Sequence, residues 1–382
     1  MLSITGRKFT EEDKEELNDS WNRFTGRSRT VTQFEWEWLN TPEGWGSIWV
    51  LEGSDSGKIV GCHGLIPIRL SYFGRSILSG KTENTHLHPP YRGKGIYYPF
   101  EVKCLQQARA RFQLTWTTAG VAEQGRIRLK LGYATVGRYA HYIKATKKLN
   151  LDRAVANTIN KIVDNKFIAT LLIGASKLGN AVLMLLFYRK GQTDQTIKLE
   201  RVTSINTVAE ELDKFWERNR GKFGITIDRN SRYLKWRIFD NPNLSYEFFL
   251  AVRQRQVVGY VITKSSEKVG VKLGTIVDLI ADDNSEVIFN SILDRVDSMF
   301  RENGIYMIHF PTLLSGNSLN RALKGNGFVP FLMFRKLVRR ALGGGQQESV
   351  FIAKALNDRL DPAKVSDPAC WYFTGIFSEG RV

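Results

Sequence analysis

The 382-residue chain holds three cysteines, Cys62, Cys104 and Cys370, far apart and outside any C-x-x-C pattern. That inventory excludes a disulfide framework and a thiolate zinc site, and it fits a reducing compartment. Histidine is also scarce: His63, His86, His88, His141 and His309 show no metal-ligand spacing beyond the pair 86 and 88, so no metal is expected. Met1 to Thr10 lacks the apolar core an export signal needs, and the chain reads as cytoplasmic. Acidic residues are the other shortage. Against 38 Asp and Glu stand 55 Lys and Arg, a net charge of +17, which favours an anionic partner such as a nucleotide-like cofactor, a nucleic acid or an acidic membrane surface. The basic residues are scattered, and the sign alone does not choose. With 42% hydrophobic and 12% aromatic residues, the chain can bury more than one core, which points to two domains or three.

Residues 11 to 40 begin helically, and Phe34, Trp36 and Trp38 form an aromatic cluster. From Ser47 the pattern turns to strands: Ile48 to Leu51, Lys58 to Cys62, Leu65 to Phe73, Ser76 to Ser79 and Glu83 to Leu87, an antiparallel meander. A helix follows with apolar positions at Ile96, Phe100, Leu105, Ala108 and Phe112. Then come a strand near Leu114 to Thr118, a helix over Gly125 to Leu131 and a last strand near Thr135 to Ile143.

The stretch His88-Pro89-Pro90-Tyr91-Arg92-Gly93-Lys94-Gly95-Ile96-Tyr97 joins strand to helix. A strand that ends in Pro-Pro and enters a helix through Arg-Gly-Lys-Gly leaves backbone N–H groups unpaired at the positive end of the helix dipole. Such a bend is an anion cradle. Gly93 and Gly95 carry no Cβ, so a diphosphate can approach the main chain, and Arg92 and Lys94 add charge.

The order of elements, together with Pro89 to Gly95, resembles the GNAT acetyltransferase superfamily over roughly residues 30 to 145. The superfamily loop, Gln/Arg-x-x-Gly-x-Gly/Ala, is met here by Gly93 and Gly95; Pro90 departs from its first position, and Arg92 stands just before the glycines. The resemblance implies acetyl-CoA as co-substrate, no metal cofactor, and cofactor contacts from Leu87, His88, Tyr91, Arg92, Gly93, Lys94, Gly95, Ile96 and Tyr97. It also implies that the thioester sits where two strands splay apart, between Asn84 to Leu87 and Thr115 to Thr118, with a main-chain N–H near Leu87 or His88 polarising its carbonyl.

The second half repeats the first. Trp36 and Pro42 match Trp236 and Pro242, Trp49-Val50-Leu51 matches Phe249-Leu250-Ala251, Val60-Gly61 matches Val258-Gly259, and Leu131-Gly132-Tyr133 matches Asn326-Gly327-Phe328. Where the first copy has its basic glycine bend, the second has Asp282-Asp283-Asn284, carboxylates that would repel a diphosphate. The fold class expected is therefore α/β (α+β), two GNAT-like acyl-CoA N-acyltransferase domains, each a mixed, mostly antiparallel sheet flanked by helices. The divisions are 1–150 with the acetyl-CoA loop, an apolar helical connector at 151–200, a degenerate GNAT-like domain at 201–340, and a segment at 341–382 that packs back on the body. Within the connector, Phe167 to Tyr188 is long enough to span a bilayer but contains Lys177 and Asn180. A helix buried against the domains is preferred, with peripheral membrane contact as the second reading.

Transfer of an acyl group from a thioester to an amine needs a base for the amine, a donor to the carbonyl and a proton for the leaving thiolate. Glu83, His86 and His88 are the candidate bases; strict strand alternation places Glu83 on the face opposite the two histidines. The superfamily's acid is a Tyr on the helix after the fifth strand, which this chain lacks, so Tyr133 stands in, with Tyr97 and Tyr139 as other substitutes. Cys62 and Cys104 read as core residues. The function expected is acetyl transfer from acetyl-CoA to a small primary amine by direct attack, with an amino sugar suggested by analogy to tandem relatives and with no specific nucleic-acid partner. The alternatives are an aminoacyl-tRNA-dependent peptide-bond former of similar doubled fold and a non-catalytic CoA-binding protein.

Overall fold

The apolar runs of the first third fold as a continuous ladder. β1 (Ile4–Lys8), β2 (Ser47–Gly53), β3 (Ile59–Tyr72) and β4 (Arg75–Leu87) pair antiparallel in chain order. The computed structural model describes residues 4–53, 57–120, 123–146, 189–268, 271–330 and 349–378. The connector Phe167 to Tyr188 lies outside them. The sequence pattern breaks β3 and β4 into two pieces each, whereas each is one long strand. The interruption is a bulge, where the register shifts between Cys62 and Gly64 and Asn84 takes φ 52°.

Helices α1 (Lys14–Thr25) and α2 (Val31–Trp38) cover one face of this meander. Gly26 ends α1 in the left-handed conformation (φ 69°), and Thr30 caps α2 by accepting from the Gln33 N–H, so the chain reverses within five residues. α3 (Tyr97–Ala108) follows β4 and buries Phe100, Cys104, Leu105 and Ala108 against Leu51, Leu65 and Leu87. β5 (Leu114–Gly120), α4 (Glu123–Lys130) and β6 (Ala134–Ala145) complete the first lobe's own elements.

The second lobe runs β7 (Lys198–Val202), α5 (Ala209–Asn219), β8 (Ile225–Ile227), β9 (Glu247–Arg253), β10 (Gln256–Lys268), β11 (Val271–Ala281), α6 (Glu286–Glu302), β12 (Met307–Leu313) and β13 (Val329–Pro330), and the chain returns as β14 (Ser349–Ala355). One sheet carries both lobes in the order β1-β2-β3-β4-β5-β14-β6-β12-β11-β10-β9-β7, with β8 paired to β3 and β13 to β6. That order is a palindrome. The lobes exchange strands at its centre: β14, from the end of the chain, lies between β5 and β6, while Tyr139 to Ala145 of β6 crosses over to pair with β12.

Trp36 and Trp236 mark the local two-fold. Their rings stack with centroids 5.4 Å apart, Trp36 Nε1 donates to the Trp236 carbonyl (3.0 Å), and Trp236 Nε1 donates to the Trp36 carbonyl (2.9 Å). A reciprocal contact of this kind is what a two-fold interface between like units produces. The chain end seals the seam: Trp371, Tyr372, Phe373, Ile376 and Phe377 are all buried, and Phe351 of β14 packs on Trp371 and Phe373 with ring centroids 4.8 Å apart in each case.

Candidate active site

β4 pairs with β5 in parallel only from Ser79 to Lys81, opposite Leu114 to Trp116. Past that point β5 is held on its other side by β14, and the space between β4 and β5 opens. Two cavities meet there. One, of about 510 Å³, runs along Thr85, His86 and Leu87 to Tyr91, Arg92, Gly93, Gly95, Ile96 and Tyr97, with Glu101 and Arg128 behind. The other, of about 390 Å³, is bounded by Trp21, Arg27, Arg29, Glu37, Thr82, Glu83, Asn84, Thr117 and Thr118. Phe24, Thr85 and Arg128 belong to both walls and form the waist.

The first cavity ends at the glycine bend. Gly93 and Gly95 both have φ 72°, a conformation that side chains with a Cβ adopt only under strain, and the space around each is open. Among the described residues, the N–H groups of Gly93 to Ile96 find no acceptor, while those of Tyr91 and Arg92 bond back to His88 and Pro89. The result is a set of outward-facing donors at the start of a 12-residue helix. Arg92 is partly committed elsewhere: its Nε donates to the Leu87 carbonyl (2.8 Å) and its guanidinium lies 5.3 Å from the centroid of Phe24. Lys94 lies over Tyr91, its Nζ 5.9 Å from the ring centroid.

One of the proposed carbonyl donors is unavailable. The His88 N–H donates to Val60 (2.8 Å), and alternation along that ladder turns the Leu87 N–H the other way, into the open edge. Of the two N–H groups, only that of Leu87 is available to a ligand in the gap.

The bulge also redistributes the candidate bases. With an extra residue accommodated at Asn84, strict alternation fails, and Glu83, His86 and His88 all face α1 and α2 rather than splitting between faces. Glu83 enters the second cavity, where it pairs with Lys81 at 2.7 Å. His86 stacks on Phe24 (5.0 Å), its Nδ1 lies 3.0 Å from the Asn84 carbonyl, and its Nε2 lies 3.1 Å from the Ser20 hydroxyl. Burial depresses it to about 4, so it is neutral at pH 7 and a weak base. His88 braces the bend through Ser20 (3.0 Å) and is not in the wall of either cavity; burial and then Arg23 lower its pKa.

Tyr133 does not reach the site. Its hydroxyl is buried 3.4 Å from Thr115 Oγ1, outside both cavity walls, and burial pushes it up to about 12. Tyr97 does line the first cavity, with its hydroxyl 3.2 Å from His63 Nδ1, and burial raises it well above the usual phenol. Cys62 has a histidine neighbour that spacing did not disclose, His86 Nδ1 at 3.3 Å, yet burial pushes the thiol up to about 12 and leaves no thiolate for acyl capture. Among the described residues no group of three or more potential metal ligands occurs. No helix among them is long and apolar enough to cross a membrane.

Sequence reasoning missed Phe24, Arg27, Arg29, Glu37, Glu101 and Arg128. Only Arg128 left a trace, as one of two arginines in a short helix predicted over Gly125 to Leu131. In the second lobe, the site corresponding to the β4 bulge is filled. Arg229 donates to both oxygens of Asp278 (2.8 and 3.1 Å), which also accepts from Tyr260 (2.6 Å) and Thr374 (2.6 Å). The bend at Asp282 and Asp283 is tied to Asn219, Arg218 and Lys222, so its carboxylates are neutralised internally and no anion cradle forms.

No family model and no curated protein matches the sequence. Solved structures do match the fold. A GCN5-related N-acetyltransferase from Anabaena variabilis superposes with a TM-score of 0.61 at 13% identity, over 93% of this chain and 73% of its own. A conserved protein from Enterococcus faecalis gives 0.62 at 14% identity over 93% and 73%. Eis1 from Mycobacterium abscessus gives 0.55 at 11% identity over 96% and 76%. With the splayed strands, the glycine bend and the doubled sheet on the same chain, the protein has the fold of the GCN5-related N-acetyltransferases, laid out in two lobes.

Proposed function

We propose that the chain transfers an acyl group, most simply acetyl, from a CoA thioester to a primary amine by direct attack. The observation that carries this reading is the pair of cavities meeting at one waist, one ending in unpaired amides and the other walled by polar side chains. A diphosphate at Gly93 to Ile96 directs the pantetheine arm along Leu87, and the thioester carbon then lies at Thr85 and Phe24 with the Leu87 N–H available to its oxygen. The amine enters from the second cavity, where Glu83 is the base. Its lone pair attacks the thioester carbon, the C–N bond forms and the C–S bond breaks. The electron pair leaves on sulfur, the amine proton passes to Glu83 and on to solvent, and the thiolate takes a proton from water. The inert state of Cys62 argues against a covalent enzyme intermediate.

The test is a thermal-shift titration with acetyl-CoA, followed by thiol release over an amine panel. Wild type gains stability on binding, and Arg92→Glu loses the gain. Glu83→Gln keeps the shift and loses turnover by about 100-fold or more, the usual weight of a general base. Unchanged melting at saturating acetyl-CoA refutes the reading.

A further inference from the structure

The acceptor cavity is charged out of balance. Its two carboxylates are already matched: Glu83 pairs with Lys81 at 2.7 Å, and Glu37 pairs with Arg29 at 3.0 Å while also accepting from Trp38 Nε1 (3.1 Å) and Asn84 Nδ2 (3.2 Å). Arg29 is further held by Asn18 Oδ1 (2.8 Å) and by the face of Trp21 (4.3 Å), so it serves the wall rather than a ligand. Among the described residues of the wall two further cations stand, Arg128, which is ion-paired with Glu101 behind it, and Arg27, which leaves the lining one positive charge in excess. Arg27 is exposed on the turn between α1 and α2 and has no partner among the described residues. Arg128 is buried to 4% exposure at the waist. Its Nη2 donates to Thr85 Oγ1 (3.3 Å), and its buried Nε forms an ion pair with Glu101 Oε1 at 3.6 Å, too long for a hydrogen bond. Tyr97, Tyr133 and His63 also surround this pair, and none supplies a second negative charge at neutral pH.

With the other charges of the wall paired, the unpartnered Arg27 and the Arg128 guanidinium at the waist give the cavity a positive bias that an anionic group on the ligand would offset. An amine substrate that was only a cation would meet this positive bias, with the wall's carboxylates already sharing their charge with Lys81 and Arg29. Resting on the acyl-transfer reading above, we propose that the acceptor is a small amine that also bears a carboxylate or a phosphate, its anionic end held by Arg27 and Arg128 while its amine is presented to Glu83. The cavity of about 390 Å³ is of small-molecule size, in keeping with a metabolite.

The experiment uses matched amines at saturating acetyl-CoA: glucosamine 6-phosphate against glucosamine, and 4-aminobutyrate against butylamine. Turnover is read by thiol release and binding by thermal shift of the CoA-loaded protein. In at least one pair the anionic member is favoured by about 10-fold or more in kcat/KM, the scale of one charge-assisted hydrogen-bond set, and which pair responds distinguishes phosphate from carboxylate. Arg27→Gln and Arg128→Gln collapse the preference through KM, and Arg128→Lys restores part of it. Added salt shrinks the preference as well. The proposal is overturned if neutral members match or exceed their anionic partners, if the preference survives both arginine substitutions, or if neither anionic amine binds or reacts. Absence of any acetyl-CoA shift in the same preparations would instead count against the acyl-transfer reading itself.

Discussion

Acidification between pH 7 and pH 5 should destabilise this protein through histidines that the fold keeps neutral, His63 and His86 foremost. His63 and His86 are buried, at 0% and 3% exposure, and burial lowers each from 6.5 to about 4. A base whose pKa falls on folding binds its proton more readily in the unfolded chain. Its stabilising share is complete above pH 6.5 and drains away as the pH drops toward 4. Integrating over the pH 7 to 5 interval gives a loss of about 2 kcal/mol per histidine, or about 4 kcal/mol for the two. Against a total stability of about 5–15 kcal/mol for a domain, that is a large fraction. Urea unfolding followed by tryptophan fluorescence at pH 7, 6 and 5 measures it directly. His86→Gln, which keeps a hydrogen-bonding side chain without the titration, should remove part of the pH dependence, the rest staying with His63 and His309, at some cost in stability at pH 7. A midpoint that does not move between pH 7 and pH 5, or a slope unaltered in His86→Gln, would refute the assignment of buried neutral imidazoles.

Gly93→Val and Gly95→Val force a branched side chain into φ 72° where the surrounding space is open, so the stability cost is backbone strain of about 1–3 kcal/mol, whereas the acetyl-CoA-induced shift should vanish; a retained shift contradicts the cradle. Trp36→Phe leaves the Trp236 carbonyl buried without its donor and should cost about 1–3 kcal/mol in urea unfolding, with Trp236→Phe alike; a large inequality would argue against equivalent roles at the two-fold. Under native conditions Ellman's reagent should label the partly exposed Cys370 first and the buried Cys62 and Cys104 only on unfolding; fast native labelling of Cys62 would revive a covalent route.

The glycine bend could be read from the chain because its chemistry is local: two glycines one residue apart, basic neighbours and a strand running into a helix. The doubling was equally visible, since Trp36 and Trp236 stand 200 positions apart, although nothing in the letters says that the two rings touch. The bases were misassigned to faces because a bulge adds a residue without a compositional mark. Asn84 at φ 52° is the only hint, asparagine being tolerant of that region. Arg128 and Phe24 join the site through helices packed from either side of β4, and a one-dimensional pattern does not encode that approach. Tyr133 follows the helix in the chain, where the expected acid would stand, yet the fold buries its hydroxyl beside Thr115, outside both cavity walls.

The placement of β14 governs how this protein can be made. Synthesis delivers residues in order, so the early lobe must wait with a gap beside β5 until residue 355 has emerged, long after β6 was complete. Until then the nascent chain holds two unclosed edges that other polypeptides could pair with. Expressing either half alone should yield insoluble material, and a split version should recover only when both pieces are produced together.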